Sequence, residues 1–403
     1  MHHESRITAP TFGWGTASPA MPLVRDLVAA LDAAAPFGQA ADWDNVGLLV
    51  GDPGAEVSRV ICALDLTPAV VAEAAELGAE AVVTHHPILF KKTARVRADD
   101  AEGALVLALA RHGIAHVAAH TNLDAAHGLP GTPSGGVSVE LARALGVAAP
   151  EILAPLDGAL RKLVVFVPEA SAGAVRDALH TAGAGQIGAY TEASFSHAGT
   201  GRFRPGAGAS PAIGEAGGAR EAVAEERVEV IVERWRLGAA VRALRAAHPY
   251  EEPAFDIVEL AQAHRTVGFG AVGELDAPEP LGAFLARTSK ALDVEALPYL
   301  GDPDAEVSRV AVCGGSGMSF LGAAIRAGAD VYVTADVTYH RWFEALAPDG
   351  RPRIALIDAG HYPTERLAER LLAEIVGGVA GVEALRTTVR TSPVQTWVAA
   401  SGQ

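Results

Sequence analysis

The chain reads as an α/β protein: two related α/β halves that form one domain, interrupted by a ferredoxin-like α+β insert. Three observations predict this. A decapeptide recurs, GDPGAEVSRV at Gly51–Val60 and GDPDAEVSRV at Gly301–Val310, with nine of ten positions identical at an offset of 250. The offset continues, since LGAEAVVTHHP at Leu77–Pro87 aligns with AGADVYVTADV at Ala327–Val337. Apolar strand-like runs alternate with helical segments in both halves, and a βαββαβ order lies between them. At 403 residues the chain is also too long for one ordinary core.

In the first half, Arg59–Asp65 is an apolar strand. Thr67 caps a helix that has Pro68 at its first position and stops at Gly78. Ala81–Thr84 is the next strand, Asp100–His112 a helix and Ala115–Ala119 a further strand. The second half repeats the order: strand Arg309–Cys313, helix Ser319–Ala327, strand Asp330–Thr334, helix Tyr339–Ala347, strand Arg353–Ile357 and helix Pro363–Ile375. Mainly parallel sheets follow from that alternation. The middle reads as strand Lys162–Val167, helix Ser171–Ala182, strands Gln186–Ser196 and Glu226–Glu233, helix Leu237–Ala247 and strand Ala254–Leu260. A loop rich in Gly, Ala and Pro, Gly206–Arg220, joins the two central strands. The expected division is a loose tail over 1–20, a two-part domain over 21–154 and 263–403, and an insert over 155–262.

Composition narrows the function. Half the residues are hydrophobic, 20% are charged, and the formal net charge is −16 with no basic cluster, which argues against a nucleic-acid scaffold. A small acidic ligand such as a nucleotide stays compatible, because a metal ion can supply local positive charge. The two cysteines, Cys62 and Cys313, lie in apolar runs and read as small core residues, so neither a disulfide framework nor a thiolate zinc site is expected. No run approaches the roughly 18 apolar residues of a membrane span, and the first 20 residues lack the apolar core of a signal peptide. The cytoplasm is the default expectation. His2 and His3 are too few for a tag.

Four segments gather His and carboxylate at expected strand ends, where sites collect in open α/β sheets. In THHPILF (Thr84–Phe90), Pro87 keeps His86 extended, so the two imidazoles splay and can serve different ions. AHTNLD (Ala119–Asp124) ends another strand. In DAGHYPTE (Asp358–Glu365), His361 and Glu365 are four apart on one helical face. TADVTYH (Thr334–His340) is the weaker fourth. Alone, the HH pair reads as surface and the His361–Glu365 pair equally as a cap. Together, His85, His86, Asp124, His361 and Glu365 predict a metal site. Imidazole with carboxylate suits zinc, iron, manganese or nickel. Five ligands suit two divalent ions about 4 Å apart better than one. His120 and His340 are assigned behind the ligands or to proton transfer. Asp44 and Asn45 cap the pocket or simply form a turn. GGSG at Gly314–Gly317 lacks the Lys-Ser/Thr of a phosphate loop and reads as a tight turn.

DNVGLLVG, THHPILF, HTNLD and GHYPTE resemble the NGG-one interacting factor three-like family, also called dinuclear metal centre or GTP cyclohydrolase I type 2 homologue proteins, over nearly the whole chain from about Met21. The resemblance implies metal ligands at the same five positions, His85, His86, Asp124, His361 and Glu365. GRFRPGAGASPAIGEAGG and HPYEEPAFDI make the insert similar to the PII and CutA folds, and members of this kind imply a toroidal homohexamer with metal sites facing an inner cavity. Two departures touch none of the five. Thr334-Ala335-Asp336 replaces Thr-Gly-Asp. Gly135-Gly136-Val137 leads to Ser138-Val139, not Asn-Asp, after extra residues that include His127 and Pro130. Both alter the shape expected of the pocket.

The expected function is a metal-dependent hydrolase of a nucleotide or related ring compound. For the GTP cyclohydrolase I reaction implied by the resemblance, it would open the purine imidazole ring and release formate. Glu365 or Asp124 would bridge the ions, and His120 or His340 would move the proton. The alternative is a metal-binding regulatory or small-molecule-sensing protein without turnover.

Overall fold

Residues 21–125 and 135–397 are described by the structure, a computed structural model. The tail expected over 1–20, and His127 and Pro130, lie outside them. The first half runs α1 (Val24–Ala34), β1 (Gly47–Val50), β2 (Arg59–Ala63), α2 (Pro68–Glu76), β3 (Ala81–Thr84), α3 (Ala101–His112), β4 (Ala115–Ala118) and α4 (Thr121–Ala125). Local chemistry sets these ends. Thr67 Oγ1 accepts the Val70 N–H at the start of α2, the Asp100 carboxylate accepts the Gly103 N–H at the start of α3, and Gly113 at φ +67° stops α3. β3 and β4 are buried at every position, as strands covered on both faces must be.

α5 (Val137–Ala144) and β5 (Glu151–Leu156) precede the insert. The insert comprises β6 (Leu160–Pro168), α6 (Glu169–Thr181), β7 (Ser194–Phe203), β8 (Glu221–Glu233), α7 (Leu237–Ala247) and β9 (Phe255–Glu259). Its sheet order, β7-β8-β6-β9, with every pair antiparallel, is the ferredoxin-like arrangement. Val165, Val175, Leu179, Val230 and Leu244 meet in its core. The second strand corrects the sequence reading. It runs over Ser194–Phe203, not Gln186–Ser196, and pairs with β8 from Ser194↔Val230 to Phe203↔Glu221. Ile187 and Tyr190 bridge each other in a turn among glycines of positive φ. β7 itself is an exposed edge strand, so it carries no apolar alternation to read.

The second half contains β10 (His264–Pro280), α8 (Leu281–Leu292), β11 (Tyr299–Leu300), β12 (Glu306–Val312), α9 (Leu321–Arg326), β13 (Val331–Thr334), β14 (Ala355–Asp358), α10 (His361–Glu365), α11 (Ala368–Gly377) and β15 (Glu383–Arg386). The sheets are ordered β1-β4-β3-β2-β15 and β11-β14-β13-β12-β10-β5. In each, three consecutive parallel strands, β2-β3-β4 or β12-β13-β14, carry an antiparallel partner on the same side, β1 or β11. Two helices differ from expectation. Tyr339–Ala345 is a 3-10 segment, and the helix expected over Pro363–Ile375 is split into α10 and α11. Pro363 sits inside the first turn of α10, where its missing N–H costs nothing.

The repeated decapeptide has a structural reason in each copy. Asp52 Oδ1 accepts the Gly54 N–H at 2.8 Å, and Asp302 Oδ1 accepts the Asp304 N–H at 3.0 Å. The Glu80 carboxylate accepts the N–H groups of Ser58 and Arg59, and Asp330 accepts those of Ser308 and Arg309. Both copies thereby deliver a parallel strand triplet whose third member leads into a five-residue helix, α4 or α10. No helix among the described residues is long and apolar enough to cross a membrane.

Candidate metal centre

Thr84, the last residue of β3, shapes the His pair that follows. Its hydroxyl donates to the His86 carbonyl at 2.6 Å and meets the ring of buried His116 at 2.8 Å. The N–H groups of His85 and His86 donate to the carbonyls of Ala63 and Leu64, holding the segment beside the end of β2. Leu89 adopts φ +57°, unusual for a branched residue. Two side chains hold it there: its N–H donates to Glu102 Oε1 at 2.6 Å, and its carbonyl accepts Asn45 Nδ2 at 2.8 Å. Asn45 thus clamps the His loop.

Four imidazoles crowd together, each with Nδ1 tied to an oxygen. His85 Nδ1 donates to the Ala119 carbonyl at 2.9 Å, His86 Nδ1 to Asp65 at 2.7 Å, His120 Nδ1 to Asp44 at 2.9 Å and His361 Nδ1 to Asp336 at 2.7 Å. Each Nε2 is left free for another bond. Two overlapping groups result, each with ligand atoms within 4.8 Å of one another: His85, His86 and His120; and His86, His361 and Glu365. His86 belongs to both. In the second group Glu365 Oε2 lies 3.0 Å from His86 Nε2 and 2.8 Å from His361 Nε2. In the first, the His85 ring is fully buried, burial pushes it down to about 3, and its Nε2 has no hydrogen-bond partner. A neutral imidazole with an orphaned, buried lone pair fits a cation.

Motifs from the two halves are therefore spatially joined. The family model described as Duf34/NIF3 (NGG1p interacting factor 3) matches residues 22–394. The chain belongs to the Duf34/NIF3 family. A GTP cyclohydrolase 1 type 2 homolog of Mycobacterium tuberculosis is 44% identical over 344 residues, covering 84% of this chain and 87% of that protein. One from Bacillus subtilis is 37% identical over 340 residues, covering 84% and 87%. Among solved structures, a Bacillus cereus protein related to NIF3 matches with a TM-score of 0.75 at 34% identity, covering 94% of this chain and 100% of that one. A Staphylococcus aureus protein gives 0.71 at 29% identity, covering 94% and 100%.

In this Duf34/NIF3 chain the five residues expected as ligands do not enter equally. His85, His86, His361 and Glu365 fall in the two groups, whereas Asp124 borders the first, its Oδ1 3.6 Å from His85 Nε2. Burial and the nearby Glu365 carboxylate push the Asp124 carboxyl well above the usual range. His120, expected behind the ligands or in proton transfer, is brought among the ligand atoms of the first group. Asp44 holds it: burial opposes the Asp44 charge, but hydrogen bonds from His120 and Thr121 bring that carboxyl down to about 2. His340 is not brought in. It is exposed on the 3-10 segment, its ring against Tyr339, and no hydrogen bond or ring contact joins it to the groups among the described residues.

Asp65 and the role of Asp336 were missed in the sequence, although a carboxylate directly after an apolar strand, as in RVICALD, is a readable signal. GGSG forms a turn closed by the threonines beside it. The N–H groups of Gly315 and Gly317 are spent on Thr364 Oγ1 and Thr334 Oγ1, and the turn leaves room for the Glu365 side chain.

These electrostatics predict a pH dependence. Burial opposes a proton on His86, but Asp65 and Glu365 outweigh it and push the ring up to about 10. The Glu365 hydrogen bond, against burial, pushes His361 up to about 9. Both folded values exceed the ordinary 6.5, so protonation stabilises the fold. That contribution is complete below about pH 6.5 and lost as pH rises through 9 to 10. Chelator-treated protein should therefore lose thermal stability over this window. Added Zn²⁺ competes with those protons, so its stabilising effect should grow over the same range. Melting curves with chelator and with ZnCl₂ across the window measure both; a chelated protein whose stability holds flat or rises contradicts the assignment.

Proposed function

We propose that this Duf34/NIF3 protein holds two divalent transition-metal ions, of the zinc, iron, manganese or nickel class, and hydrolyses a nucleotide or related ring compound. The observation that carries the reading is the set of four imidazoles, each anchored through Nδ1 and each offering Nε2 to one of two adjoining groups. His85 and His120, with Asp124 beside them, would hold one ion and His361 with Glu365 the other; His86 lies in both groups, but with Nδ1 tied to Asp65 its single Nε2 lone pair would serve one of the two ions. Bound there, the ions supply Lewis acidity and lower the cost of ionising water.

The chain's own residues support a ring-bearing substrate. Trp43 and Phe90 are 62% and 46% exposed, their ring centroids 5.7 Å apart, and both rings stand edge-on to His120, at 6.2 and 6.5 Å. They form an aromatic platform beside the first group, able to stack a flat ring. On the other side, a cavity of about 810 Å³ opens along His86, His361, Asp336, Tyr362 and Arg390, within the size range of small-ligand sites. The Arg390 guanidinium lies 5.4 Å from the Tyr362 ring centre and offers positive charge to a phosphate. The toroidal homohexamer implied by the family resemblance belongs to this proposal, and light scattering reads it directly.

Metal-loaded protein should release formate from GTP or turn over another member of a nucleotide and phosphoester panel. Chelation should abolish the rate and re-added metal restore it. Trp43→Ala should raise KM about tenfold through lost stacking while leaving metal content unchanged. A fully metallated protein inert on the whole panel would overturn the hydrolase reading in favour of a metal-binding regulator.

A further inference from the structure

The insert contains a second cavity, separate from the metal groups, of about 410 Å³. Its apolar wall is Phe166, Phe203 and Tyr250, with the Phe203 and Tyr250 rings 5.6 Å apart and edge-on. Its polar group is Glu225 on β8, only 8% exposed, whose Oε1 accepts the Tyr250 hydroxyl at 3.0 Å. Burial and the Glu225 charge push the Tyr250 phenol well above its ordinary value, so it stays a donor.

Glu225 differs from three glutamates that follow it on β8. Glu226 pairs with Arg176 at 2.7 Å, Glu229 with Lys162 at 2.8 Å and Glu233 with Arg236 at 2.7 Å. Among the described residues no cation pairs with Glu225. Arg202, the basic residue lining the cavity, is exposed and forms no ion pair with it. The backbone also makes room for this carboxylate. A Cβ at Gly201, on the facing strand, would lie 2.1 Å from Glu225 Oε2. Glycine inside a strand costs stability and marks a place where something must approach closely. The rim adds two more carboxylates, Glu251 and Glu252.

From this arrangement we infer that the insert cavity binds a small organic cation, an amine or amidine on an apolar or aromatic body, with the cation against Glu225 and the body among Phe166, Phe203 and Tyr250. A buried carboxylate without a cation is costly, and aromatic walls favour a positive guest over a neutral or anionic one of the same shape. The site is independent of the metal reading, since none of its residues belongs to either metal group.

The test uses the full chain and calorimetric titration with benzylamine and benzamidine, against benzyl alcohol and benzoate of similar size. Saturable binding of the cationic probes alone is expected. Glu225→Gln keeps the shape and can still accept the Tyr250 hydroxyl; it should weaken binding about tenfold or more with a melting temperature no lower than that of the parent chain. Phe203→Leu should weaken it about threefold, since it removes the ring and keeps apolar volume. Absence of saturable binding by either cationic probe overturns the assignment, as does equal binding of benzyl alcohol or indifference to Glu225→Gln. Loss of binding on chelation would place the probe at the metal groups and equally overturn it.

Discussion

His86→Ala is expected to remove about one metal ion. His86 Nε2 lies 3.0 Å from Glu365 and 3.4 Å from His361 Nε2, its ring packs 5.2 Å from that of His85, and its one lone pair can ligate a single ion. Its loss leaves His85 and His120 in the first group and His361 and Glu365 in the second, so the group that His86 serves is one donor short. Metal content should fall from about two ions per chain to about one. His120→Ala and His361→Ala should each remove about one ion, because each touches a single group. Elemental analysis of dialysed protein reads all three variants. His86→Ala also removes one partner of the buried Glu365 carboxylate, so circular dichroism should accompany the measurement, and His86→Gln gives a second, less disruptive variant. If His86→Ala and His86→Gln both keep about two ions, His86 is not a ligand.

The next largest effect is expected at Gly315. It sits at φ +59°, and a Cβ there would lie 2.0 Å from Glu365 Oε1 and 2.7 Å from Cδ. Gly315→Ala therefore combines a left-handed backbone, costing about 1–2 kcal/mol, with displacement of a buried carboxylate. Gly328→Ala provides the control, since Gly328 has φ +70° and nothing within 4 Å of its would-be Cβ, so it isolates the backbone cost. Gly315→Ala should melt several degrees below Gly328→Ala. It should lose about one ion, from the Glu365 group, while the group of His85, His86 and His120 keeps its own. Equal melting temperatures and full metal in both variants would show that the turn does not position Glu365.

Several features of this molecule were legible before any coordinates. The decapeptide repeat announced two halves, because both copies need the same turn and the same carboxylate cap on their strands. Fully apolar runs announced the parallel strands, and His and carboxylate residues just past those runs announced the site. These are local signals, written within a few residues of where they act. The edge strand Ser194–Phe203 was misplaced because its register comes from pairing with β8, and its exposed residues carry no period of their own. The roles of His120 and His340 were equally hidden. Both follow or border a strand, and only the packing puts one among the ligand atoms and the other on the surface.

Taken by itself, then, the sequence determined the two halves, the ferredoxin-like order of the insert and most of the His and carboxylate residues that gather at the strand ends. Only the tertiary structure decided which donors meet. His86 and His361 are 275 residues apart, and His86 and Glu365 are 279 apart. Periodicity and caps reach a few residues along the chain, whereas the docking of the two halves sets which strand ends face one another. The same docking put Asp65 behind His86, Asp336 behind His361 and Gly315 against Glu365. A proton or an ion at Nε2 depends on the group held at Nδ1, and that group is chosen by packing across the fold.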